Sequence, residues 1–160
     1  MASSRPEPSR RLPRQIRTLW RMEAALRWGG VAVGALVLGG AVGDELPGPL
    51  PTLLWLVPLL GAAVELSVIP ELRWRRWRYE VRDEEIDLRH GTFTVVRTLV
   101  PMARVQHVDT RQGVLEQSMD LAGVVIHTAA GTTGIPGLLE GDAFDLRDQI
   151  ATLARAPDEL

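Results

Sequence analysis

The apolar positions of this chain fall into two regimes. Residues 28–72 are almost uniformly apolar, whereas residues 73–160 interleave charged and hydrophobic side chains as a water-facing folded domain does. In the second regime the opening period is two. Tyr79 and Val81 alternate with Glu80 and Arg82, Asp83 and Glu84 supply a polar turn, and Ile86 and Leu88 alternate with Asp87 and Arg89, which predicts a β-hairpin. Gly91 closes it. Residues 92–100 are rich in β-branched side chains, with Phe93, Val95 and Leu99 assigned to one face, and residues 104–110 predict another strand after Pro101. An apolar run over 121–128, a small-residue turn over 130–134 and a short strand over 133–136 closed by Gly137 complete the β-rich part. The period then changes to three and four. Ala143, Leu146, Ile150 and Leu153 mark an amphipathic helix, with Glu140, Asp142 and Asp145 at its start and Arg155 at its end to match the macrodipole. Short strands closed by one terminal helix predict a small all-β barrel or sandwich, capped by that α-helix.

The apolar regime predicts a two-helix transmembrane hairpin. Sixteen uncharged residues, 28–43, separate Arg27 from Asp44. That is slightly short of the ~20 a span needs, so Met22, Ala24, Ala25 and Leu26 extend it, with Arg21 and Arg27 snorkelling. A cleaved signal peptide fits worse, because the apolar stretch starts late and a second one follows at once. In that second stretch Pro47, Pro49 and Pro51 suit a loop and a first helical turn. The helices are placed at about 22–43 and 50–69. The parts are then a flexible arginine-rich tail (1–18), the hairpin (19–72), a domain (73–156) and a short tail (157–160).

Charge sets the expected orientation. All 18 basic residues are arginine; seven lie in residues 5–27 and four in 73–78, while the turn between the spans carries Asp44 and Glu45. Arginine flanks the outer ends, so both termini are expected in the cytoplasm, with the chain a multi-pass protein of the inner (plasma) membrane. Arg73, Trp74, Arg75, Arg76, Trp77 and Arg78 form the expected membrane-surface contact, and Trp28 is expected at the headgroup level. Gly30, Gly34, Gly39 and Gly43 repeat at the small-xxx-small spacing that lets helices approach, most simply within this one hairpin. Glu65 is the intramembrane candidate, expected to reach water or pair with Arg73.

Candidate chemistry adds little. Without cysteine there is no disulfide, thiolate nucleophile or thiolate metal site. His90, His107 and His127 are too scattered for a metal-site spacing, and no glycine-rich phosphate loop is present. His107 and Asp109 share a strand face but read as a structural pair. No catalytic, cofactor-binding or metal-ligating residue is therefore assigned, and an enzyme, a cofactor, a small-molecule substrate and a nucleic-acid partner are not expected.

The motifs Leu72-Arg73-Trp74-Arg75-Arg76-Trp77-Arg78-Tyr79-Glu80-Val81, Pro101-Met102-Ala103-Arg104-Val105-Gln106-His107-Val108-Asp109, Arg111-Gln112-Gly113, Leu121-Ala122 and Ile135-Pro136-Gly137-Leu138 resemble the bacterial pleckstrin-homology-like (PH) domain of YdbS-like membrane proteins. The resemblance covers residues 20–155. It implies a pleckstrin-homology-like fold of two bent antiparallel sheets with a C-terminal helix, and it brings no catalytic residues. The expected role is a membrane-tethered interaction module that scaffolds a membrane-protein complex or self-associates at the cytoplasmic face. The alternative is an anionic-lipid or membrane-state sensor, drawn to the surface by Arg73, Arg75, Arg76 and Arg78; the Asp83-Glu84-Glu85 turn argues only against an inositol-phosphate pocket there, by repelling anions.

Overall fold

Helix α1 (Gln15–Val42) starts well before the uniformly apolar run, and α2 (Leu50–Ser67) starts where Pro51 can occupy its first turn. The structure is a computed structural model that describes residues 7–42 and 47–155. Gly43, Asp44, Glu45 and the C-terminal tail 157–160 lie outside the described residues. α2 stops at Ser67 rather than at 69, and a separate helix α3 (Ile69–Arg76) follows. Pro70 explains the break: it lacks the N–H that would bond the Leu66 carbonyl. The chain forms two units, residues 17–72 and residues 1–16 with 73–160.

The first unit is inside-out. α2 has no buried residue, and Val33, Leu36, Val37, Leu59 and Leu60 are all exposed. Both long helices satisfy the length and hydropathy of membrane spans. Its contacts between helices fall only partly at the expected glycines. A Cβ added at Gly39 would touch the Trp55 ring at 3.3 Å, but one at Gly30 or Gly34 would meet nothing within 4 Å, so the expected packing at these two positions is not made inside the hairpin. Gly61 takes that part instead: an added Cβ would overlap the indole of Trp28. Trp28 thus packs between the two helices.

The second unit is a sandwich of two antiparallel three-stranded sheets. β1 (Arg78–Val81), β2 (Glu85–His90) and β3 (Val96–Pro101) form the first, in that order. β4 (Val105–Arg111), β5 (Leu121–Thr128) and β6 (Gly131–Leu139) form the second, with a one-turn helix α4 (Val114–Gln117) between β4 and β5. Alternation places Ile86, Leu88 and Val100 from one sheet and Val124, Ile126 and Ile135 from the other in the core. α5 (Glu140–Arg155) covers it with Ala143, Leu146 and Ile150. Each fully buried Leu or Ile contributes roughly 1.5–3 kcal/mol of hydrophobic stabilisation.

Three expectations change. β3 begins at Val96, not at 92, because Gly91, at φ +136, turns the chain so that Phe93 and Val95 sit in a loop. β6 runs from Gly131 to Leu139 straight through Gly137, whose φ of +55 bends the strand instead of ending it. The third concerns residues 1–18, expected as a flexible tail. Arg10 and Tyr79 exchange backbone hydrogen bonds of 3.1 and 3.0 Å along the β1 edge, and Leu12 and Ile16 are 2% and 0% exposed. Ile16 lies where a Gly137 side chain would be. Residues 10–16 are therefore part of the sandwich.

Candidate functional site

Sheet edges carry unpaired backbone N–H and C=O groups, and a folded domain covers or exploits them. The β1 edge is closed by the segment at Arg10. The β3 edge is not: β2 is its sheet neighbour on one side, and among the described residues no strand pairs on the other. Along it and the loop before it stand Val96, Leu99, Val95 and Phe93, at 46%, 38%, 42% and 81% exposure. Arg76 fixes that loop by donating to the carbonyls of Thr92 and Phe93. Behind the edge, the carboxylate of Asp87, fully buried, accepts two bonds from Arg97, at 3.0 and 2.6 Å, and that contact holds the Arg97 guanidinium above its usual pKa.

The expected membrane-surface segment is split by the fold. Trp77 is 4% exposed and stacks on His90 at 5.5 Å, so it is a core residue and not a surface contact. Trp74 donates its indole N–H to the Leu12 carbonyl at 2.9 Å. Arg78 donates to the Trp77 carbonyl at 2.7 Å; burial, then the neighbouring Arg11 and Arg89, pull its pKa down. Arg73 and Arg75 remain exposed. Arg73 also lines a cleft of about 420 Å³ with Trp77, His90, Arg111 and Glu116. Tyr79, beside the Arg10 bridge, has its phenol pKa raised, chiefly by burial.

Glu65 finds its partners within the hairpin. It accepts from Arg27 on one oxygen and from the Trp28 indole on the other, the latter at 2.6 Å. This joins α1 to α2 through a charge-assisted bond in an apolar setting.

The histidines also differ from expectation. β4 and β5 pair His107 directly with His127 and place Asp109 two residues along the same face. The two imidazoles stack at 4.1 Å, with the Asp109 carboxylate 3.2 Å from His127 Nε2 and 3.7 Å from His107 Nε2. One candidate donor atom from each lies within 4.8 Å of the others. The reading that the histidines are scattered is corrected for these two, since the cross-strand register brings them together. His90 stays apart against Trp77.

A family model described as Bacterial PH domain matches residues 26–154. The chain is 50% identical over 101 residues to the UPF0699 transmembrane protein YdbS of Bacillus subtilis (strain 168), covering 63% of this chain and 64% of that protein. It is 30% identical over 79 residues to the UPF0699 transmembrane protein YdbT of the same organism, covering 49% of this chain and 16% of that protein. The chain spans less than two thirds of the length of both these curated relatives. No solved structure matches it.

Proposed function

The chain belongs to the bacterial PH domain family, and from that premise we propose that it is a membrane-tethered interaction module whose β3 edge docks another membrane protein. The carrying observation is the contrast between edges: the chain closes β1 with its own N-terminal segment, whereas among the described residues no strand pairs with the outer side of β3, where exposed apolar side chains stand. A partner strand or loop added there gains main-chain hydrogen bonds and covers Leu99 and Phe93. The role is scaffolding, without catalysis; its support is that Asp87 and Glu65 are engaged by arginines in structural pairs.

Both flanks of the hairpin are proposed to lie in the cytoplasm. Arginine asymmetry favours that side. Residues 7–16 and 73–155 contribute to one folded unit, which supports a common side for both flanks.

A runner-up reading, recognition of anionic lipid, has its own support in the cleft bearing Arg73 and Arg111. Carboxylates at Asp83, Glu84 and Glu85 weigh against the β1–β2 turn as that site. One experiment separates the two. A photo-crosslinking amino acid replaces Leu99, or in a second variant Glu116, in the full chain in native membranes. The docking reading expects a discrete protein adduct from position 99, whether to a different protein or to a second copy. Recovery of monomer alone from position 99 overturns it, and lipid adducts from position 116 would then favour the cleft.

A further inference from the structure

We propose that His107, Asp109 and His127 form a binding site for a borderline divalent transition-metal ion of the zinc class. Three donors stand on one outward face of the β4–β5 ladder. His107 and His127 are register partners, and Asp109 projects beside them from β4. Zinc bonds of about 2.0–2.2 Å at tetrahedral angles set ligand atoms about 3.3 Å apart. The His127–Asp109 separation of 3.2 Å already meets that edge, and the His107–Asp109 separation of 3.7 Å is close to it. The remaining His–His edge closes by a tilt of His107, which at 59% exposure has room to turn. A register irregularity between Val105 and His107 sits next to the site, the kind of bulge that re-aims a strand's side chains.

Ligand chemistry selects the ion. Two imidazoles with one carboxylate suit zinc, nickel, cobalt or copper and not the hard, oxygen-seeking magnesium or calcium. The carboxylate supplies one negative charge, and Arg147, which lines the same depression, has its guanidinium turned to Asp148 at 2.9 and 2.7 Å. Three protein ligands leave a fourth position for water or for a group brought by a partner. The competing account is a pair of stacked histidines that share one carboxylate and bind nothing.

The test uses the untagged full chain in detergent micelles, titrated with cobalt(II) and followed by its visible absorption. The expected result is one equivalent of tightly held cobalt per chain, displaced by zinc(II). His127→Ala and Asp109→Asn should each weaken binding at least as much as the loss of an outer-shell partner does, roughly 10- to 100-fold. His90→Ala, altered away from the cluster, should bind as wild type does. Absence of a stoichiometric cobalt signal, or equal affinity in the His127→Ala variant with unchanged circular dichroism, overturns the proposal.

Discussion

Glu65 in the hairpin and Asp87 in the β-sandwich are both carboxylates held by an arginine, yet they occupy opposite positions in their surroundings. Asp87 is fully buried in a unit whose apolar side chains point inward, and Arg97 grips it with two bonds. Glu65 lies in a unit whose apolar side chains point outward, and its bonds to Arg27 and Trp28 run between helices. In the sandwich, apolar packing supplies cohesion and the ion pair is an insertion that must be satisfied. In the hairpin the lipid is as apolar as leucine, so polar and close-packed contacts must supply specificity. The same charge pair is tolerated in one region and cohesive in the other.

A matched truncation should separate the two regions most strongly. Ile126→Ala should destabilise the sandwich by about 2–5 kcal/mol, whereas Leu59→Ala, 67% exposed on α2, should stay within about 0.5 kcal/mol. Urea unfolding of both variants in the same detergent checks the contrast, and equal losses would refute an inside-out hairpin. A smaller effect is expected from Glu65→Ala, which removes the acceptor shared by Arg27 and Trp28. Polar contacts between membrane helices average about 0.6 kcal/mol and reach about 1.7 kcal/mol, so the helix pair should loosen by that order, seen as increased intramolecular distance between probes on α1 and α2. Near-UV signals from the sandwich should not change.

The smallest expected effect is alkaline. Burial raises the Tyr79 phenol, so the folded state keeps its proton at pH values where the unfolded chain, near pH 10, gives it up. Stability from this group is complete below the unfolded value and is lost as pH climbs through the folded one. Because the chain has one tyrosine, tyrosinate absorbance reports it directly. Titration at or below the ordinary value would show that the Arg10 bridge does not shelter the ring.

Local signals made part of the fold legible. The β1–β2 hairpin, β5 and α5 follow from strict alternation, a continuous apolar run and a charged helix start, each contained within a few residues. The remaining features depend on distant partners. Phe93 and Val95 have strand-like chemistry, but the turn at Gly91 removes them from the ladder. Gly137 carries a terminator's composition, and only its left-handed backbone shows that β6 continues. Leu12 and Ile16 are isolated apolar positions in an arginine-rich stretch, with no period to mark them as core. Of the candidate residues, Glu65 was recognisable by charge alone, but Arg27 as its partner requires the phase of two helices. The His107–His127 pair requires a register across two strands and an irregularity.

The segment at Arg10 and Leu12 bears on biogenesis. Its partners Tyr79 and Trp74 are made only after both spans have been translated, since 62 positions separate Leu12 from Trp74. The segment at 10–16 is thus seated only once partners far along the chain have been made. A nascent chain that stops short of residue 73 cannot finish the sandwich, and a fragment beginning at residue 73 lacks the core residues Leu12 and Ile16. Completion of the sandwich therefore waits on both apolar helices, which lie in sequence between the two parts of its core.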